Sequence, residues 1–144
     1  MIHLLDVNVL IALVDRHHIH HNYAHQWIID NSADCWATCA ITENGVIRII
    51  SNPSYPNPMK SPAHAAEMLT ELKEDSAHQF WFESVSFLDA GVFQLEHVSS
   101  PKQITDVYLL GLSVRHQGCF ATFDRHINAQ AVIDGKNALR VLRP

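Results

Sequence analysis

The chain is poor in the features that mark several protein classes. It has only three cysteines, Cys35, Cys39 and Cys119, and none forms a C-x-x-C pair. So odd and scattered a set excludes a disulfide framework, and reduced thiols in a cytosolic protein are the expectation. Long hydrophobic runs are missing as well. The strongest, around Val7–Val14 and Val107–Val114, fall far short of the ~20 residues that span a bilayer. The opening Met1-Ile2-His3-Leu4-Leu5-Asp6 lacks both the basic start and the small-residue cleavage site of a secretory signal. A cytoplasmic location with no membrane partner is therefore expected. Cations are scarce: 10 Lys and Arg stand against 15 Asp and Glu, for a net charge of −5. That balance is the reverse of the basic surface usual in a nucleic-acid binder. Acids gathered around bound cations would reverse it locally.

What is present suits one globular domain over residues 1–144. At 47% hydrophobic and 17% charged, the chain has enough apolar material for a core of its own. No internal repeat or low-complexity tract interrupts it. Ile2–Leu5 is a short apolar run ending in Asp6 and reads as a buried strand, with Val7–Val14 packed behind it as a short helix or turn. His18–Asp30 reads as an amphipathic helix burying Ile19, Tyr23, Trp27 and Ile28. Cys35–Thr38 is a second strand, and Thr42 opens a helix over Glu43–Ile50. The proline-rich stretch Ser51–Pro62 is a loop, followed by a helix over about Ala63–Lys73; both are read as lying away from the core elements. Gln79–Phe82 is a third strand, and Ser84–Lys102 gives only turns and one helical segment. Thr105 caps a helix over Asp106–His116 that Gly118 ends. Cys119–Phe123 is a strand delivering Asp124, and Leu139–Leu142 a last one. Strands alternating with helices imply an α/β fold, with a parallel central sheet between two helical layers.

Four acids stand apart from the solvated surface charges. Asp6 and Asp124 each follow an apolar strand, while Glu43 and Asp106 open helices. In open parallel sheets the functional crevice lies outside the carboxyl ends of the strands, where strand ends meet the N-termini of the next helices. All four would converge on that edge. Each also has an ordinary reading, as a turn former at a strand end or as a charge favoured by a helix N-terminus. Together they would repel one another unless a cation lay among them. An all-oxygen set without Cys or His favours Mg²⁺, with Mn²⁺ as its substitute, and phosphodiester hydrolysis is the chemistry such a cluster serves.

In this order and spacing the residues resemble a known family. Leu4-Leu5-Asp6-Val7-Asn8-Val9-Leu10-Ile11-Ala12-Leu13 looks like the opening of PIN domains, with an acid and, two residues on, an Asn after the first strand. Thr42-Glu43-Asn44-Gly45-Val46-Ile47-Arg48 resembles the segment with the second acid, Ile104-Thr105-Asp106-Val107-Tyr108 the third, and Ala121-Thr122-Phe123-Asp124 the fourth. Its small size and lack of an appended domain resemble the VapC toxins of bacterial toxin–antitoxin pairs. The resemblance implies a three-layer α/β/α PIN-like fold and a Mg²⁺-dependent endoribonuclease held in check by a small antitoxin protein. It implies a metal site on Asp6, Asp106 and Asp124, with Glu43 serving a second ion or orienting water. Asn8 and Thr122 would support the site. RNA would be the substrate, and a homodimer the assembly.

Other features have competing readings. His17, His21 and His25 are spaced to share a helix face, but no H-E-x-x-H pattern accompanies them, and a polar helix flank is preferred to a zinc site. Trp27, Trp36 and Trp81 are taken as core residues. Arg125 and His126, beside Asp124, are candidates for RNA phosphate contacts and equally for ordinary surface positions. An aspartate-nucleophile phosphatase would want a second acid where Asn8 stands and a suitably placed lysine, and neither is seen. A non-cleaving PIN-like RNA- or protein-binding module would be marked by loss of one of the four acids, and all four remain.

Overall fold

The computed structural model describes residues 1–144. Its sheet has five strands: β1 (Ile2–Leu5), β2 (Cys35–Cys39), β3 (His78–Trp81), β4 (Cys119–Thr122) and β5 (Leu139–Val141). All pair in parallel, in the spatial order β3-β2-β1-β4-β5. Chain order therefore reverses at β1, whose register sets His3 beside Cys119 on one side and Ile2 beside Cys35 on the other. The gap between the carboxyl ends of β1 and β4 is the topological switch point where α/β sheets place their ligands.

Six helices flank the sheet: α1 (Val7–Val14), α2 (His21–Asp30), α3 (Ala40–Ile50), α4 (Pro62–Leu72), α5 (Ile104–Arg115) and α6 (Gly135–Ala138). Strand side chains alternate between two cores, as a period of two requires. Leu5, Trp36 and Ala121 join α1–α4 on one face, while Leu4, Ala37 and Phe120 join α5 and α6 on the other. The result is the three-layer α/β/α architecture read from the strand–helix alternation. Trp36 and Trp81 are buried in these cores, and Trp27 packs against the first.

Several boundaries differ from the expected ones, each for a local reason. Helix α2 begins at His21, so His17, His18 and His20 precede it and the three-histidine face does not form. Instead the rings of His21 and His25 donate hydrogen bonds to the carbonyls of Ala12 and Leu13, at 2.8 and 2.9 Å. Those carbonyls end α1 and have no partner within it. No group of three or more His, Cys, Asp or Glu side chains stands ready to hold an ion unaided, so the histidines form no zinc site. Nor does the proline-rich loop lie apart from the core. Asp15, 2% exposed at the end of α1, accepts from the Tyr55 hydroxyl at 2.5 Å and from Asn57 Nδ2 at 3.3 Å. Beyond the loop, Ser61 caps α4 and Pro62 starts it, and Ala65 and Leu69 enter the first core. No helix is long and apolar enough to cross a membrane.

Candidate active site

Asp6 leaves β1 and caps α1, its Oδ1 accepting from the Val7 N–H at 2.7 Å. Its other oxygen accepts from the Thr122 hydroxyl at 2.5 Å, across the switch point at the end of β4. The same hydroxyl oxygen accepts from the Asp124 N–H at 3.0 Å and from Asn8 Nδ2 at 3.3 Å. Asn8 Oδ1 in turn accepts from the Phe123 N–H at 3.3 Å. Asn8 and Thr122 thus clamp the ends of β1 and β4 together and fix the Asp6 carboxylate. Asp124 closes its own turn, accepting from the His126 N–H at 2.8 Å.

Asp106 arrives from a third element, in the first turn of α5. Its carboxyl pKa is pushed up to about 6, by burial first and then by the charges of Asp6 and Asp124. Burial also raises Asp6, more than its hydrogen bonds from Thr122 and Val7 lower it, and Asp124 adds to the rise. Neither Asp6 nor Asp106 has an ion-pair partner. Asp6, Asp106 and Asp124 therefore lie near enough at the switch point to repel one another, and no ion pair within the chain offsets that repulsion. Such a set fits Mg²⁺, which commonly takes one or two carboxylates and fills its octahedron with water and substrate phosphate. The three carboxylates do not stand as a finished ligand set, so the ion would reach some of them through its bound waters.

Glu43 is not brought to this cluster. Its Oε1 accepts from the Thr38 hydroxyl at 2.7 Å and from Lys73 Nζ at 2.5 Å. Thr38 also meets His78 Nε2 at 2.8 Å; because its one hydroxyl hydrogen goes to Glu43, the imidazole is the donor there. The physical reason is helix phase. Helix α3 starts at Ala40, three residues before the expected start, with Thr42 reaching back to the Cys39 N–H. At ~100° per residue, that start turns position 43 toward β2 and α4. Glu43 ties α3 to both. Glu43→Gln is accordingly expected to leave cleavage of RNA within about twofold while lowering stability by roughly 1 kcal/mol, the worth of a partly exposed charge-assisted contact. Paired cleavage and melting measurements check this, and loss of cleavage at unchanged stability would return Glu43 to the metal.

Beside the cluster opens a cavity of about 470 Å³, between the start of α1 and one stripe of α3. Asp6 and Val7 line it from the start of α1, and Thr105 and Asp106 from the first turn of α5. Ile41, Asn44, Gly45, Arg48 and Ile49 line the helix wall, and Glu83 stands among them from just beyond β3. Gly45 lets α1 and α3 approach: a Cβ there would come within 2.7 Å of Val7 Cγ2. Sequence reasoning passed over Asn44, Arg48 and Glu83. Glu83 carried the signal used for Asp6 and Asp124, since it follows the apolar run Phe80-Trp81-Phe82. Arg125 and His126 are exposed next to Asp124 and do not line this cavity.

The chain is similar to known proteins over most of its length. The family model described as PIN domain matches residues 3–133. Ribonuclease VapC44 of Mycobacterium tuberculosis is 50% identical over 129 residues, covering 90% of this chain and 90% of the relative. Ribonuclease VapC39 of the same organism is 39% identical over 121 residues, covering 84% of this chain and 87% of its own. Ribonuclease VapC38 is 36% identical over 121 residues, covering 84% of each.

Proposed function

The chain belongs to the PIN domain family, and on that premise we propose that it is an endoribonuclease acting in the cytoplasm as the toxin of a toxin–antitoxin pair. The observation that carries the reading is that Asp6, fixed by Thr122 at the switch point of a parallel sheet, lies near enough to Asp106 and Asp124 for their charges to repel. The relatives' shared designation as ribonucleases supports RNA as the substrate. The 144 residues act as one domain.

In this reading Asp6, Asp106 and Asp124 hold Mg²⁺, or Mn²⁺ in its place. The ion supplies activation of a water nucleophile and stabilisation of the leaving oxygen. The chain's own residues do the positioning. Thr122 and the Val7 N–H hold both oxygens of Asp6, so its carboxylate is oriented before substrate arrives. Burial and repulsion keep Asp106 short of a partner, which favours a cation over a proton once the pH exceeds about 6. A small antitoxin and a second copy of the chain are the proposed protein partners.

The direct test is incubation of a stem-loop RNA with the protein and Mg²⁺, with the fragments mapped by sequencing of their new ends. Cuts confined to the single-stranded stretch are expected, since there the backbone is accessible. Intact RNA from every stem-loop tried would overturn the reading.

A further inference from the structure

Arg48 stands out as the one cation in a cavity otherwise lined by acidic, neutral polar and apolar residues. Asp6, Asp106 and Glu83 share that cavity with it, and no Lys, His or other Arg does. Its side chain is exposed and makes neither an ion pair nor a hydrogen bond within the chain, although a carboxylate lines the same space. It lies on the stripe Ile41, Asn44, Gly45 and Arg48 of α3, the spacing that aligns side chains on one helix face. The rise of α3 sets it about 12 Å from Ala40, which follows directly on the carboxyl end of β2. Val7 and the Cβ-less Gly45 also line the groove and bring no charge to it.

We propose that Arg48 anchors a backbone phosphate of the RNA one or more nucleotides from the cut bond, so that the strand lies along α3 with its scissile phosphate at Asp6 and Asp106. This inference rests on the ribonuclease reading and adds to it a direction for the strand. In a chain of net charge −5, a polyanion needs a specific positive contact outside the metal site. A guanidinium provides one with fixed geometry, since its fork meets two phosphate oxygens at once, whereas an ammonium meets them as a point charge. The competing role is purely structural: Arg48 sits in the last turn of α3, where a positive charge favours the helix dipole.

The two roles part in the salt dependence of binding. The probe is a labelled single-stranded RNA titrated with the Asp6→Asn chain in Mg²⁺, followed by fluorescence anisotropy across a potassium chloride series. Arg48→Gln added to that background is expected to weaken binding about tenfold. It should also make the slope of log K against log salt shallower by about 0.7, one phosphate contact on a single strand. Arg48→Lys should keep the slope and recover part of the affinity. With Asp6 intact, Arg48→Gln should raise KM and leave kcat within about twofold. Unchanged affinity, or a weakened affinity with an unchanged slope, would overturn the anchoring role and leave the nuclease reading standing. If the unmutated chain neither binds nor cuts the RNA, it is the nuclease reading that fails.

Discussion

Removing divalent cations with EDTA should abolish RNA cleavage at neutral pH while the chain stays folded, and restoring Mg²⁺ should recover it. The reason is electrostatic. Asp106 has its pKa pushed up to about 6 by burial and by Asp6 and Asp124, and no ion pair within the chain offsets these charges. A raised carboxyl pKa means that the fold holds a proton which the unfolded chain has released. Stability from this group is thus present below the unfolded value of 3.8 and is lost as pH rises from about 4 to about 6. Above that window the metal-free fold carries the full repulsion, and a bound ion relieves it. Other groups act with the opposite sign. Burial lowers His18 and His78, so the fold loses stability as acid protonates their unfolded counterparts below about 6.5. Asp15, where burial is outweighed by the hydrogen bonds from Tyr55, His17 and Asn57, and Asp75, held down by its hydrogen bonds, contribute stability that is lost only below about 4. The informative quantity is therefore the difference in melting between the parent and Asp106→Asn, both in EDTA. That difference should turn against the parent as pH climbs from about 4 to about 6. Cleavage at limiting Mg²⁺ should fall below about pH 6, because the ion must displace a proton from Asp106, and added Mg²⁺ should move the fall to lower pH. An acid limb indifferent to Mg²⁺, or undiminished cleavage in excess EDTA, would sink the metal mechanism.

The parts of this site legible in the sequence are those that need only a strand end. The runs Ile2–Leu5 and Cys119–Thr122 are short, apolar and β-compatible, and each is followed within two residues by an acid. Alternation of strands and helices then fixes parallel pairing, and parallel pairing places both acids on one edge. Asp106 was legible for a similar reason, since a helix that feeds β4 must begin on that edge. Glu43 shows what such reading lacks. Membership of a first turn gives the edge but not the azimuth, which depends on where the helix starts. Here the cap is Cys39, a residue with little capping preference, and Thr42 completes the box from inside the helix. The shared face expected for His17, His21 and His25 fails for a related reason. Their spacing suggested one face of a helix, but the helix begins at His21, and its histidines are engaged by the carbonyls ending α1. Long-range contacts of this kind leave no periodic trace. The same is true of the link from Asp15 to Tyr55, which draws a loop legible only as proline-rich onto the core.

Asp6→Asn should remove cleavage without unfolding the protein, and its melting behaviour should say why. Asp6 is 5% exposed, and its ionised form is disfavoured by burial and by Asp124. Asparagine keeps the shape and an oxygen for the Val7 N–H, so the α1 cap survives. The second oxygen becomes an NH₂ facing Thr122. That hydroxyl now donates to Asp6 and already accepts from Asn8 and the Asp124 N–H. It would have to turn and crowd a third donor onto its oxygen, a penalty of about 1 kcal/mol. Against this, the mutant no longer buries a charge among like charges, which at neutral pH and without metal is the larger effect. The metal-free mutant should therefore melt at or above the metal-free parent. With Mg²⁺ at a hundredfold excess over its dissociation constant the parent should gain about 2.7 kcal/mol, because the ion binds only the folded cluster. The mutant, short one charged ligand, should gain far less. Cleavage should drop at least about a hundredfold, since a correctly held ion supplies several kcal/mol to the transition state. The measurement is a pair of melting curves across a Mg²⁺ titration beside a cleavage assay. A mutant that melts well below the metal-free parent would make Asp6 a structural cap that joins β1, α1 and β4, and its place among the metal ligands would be lost.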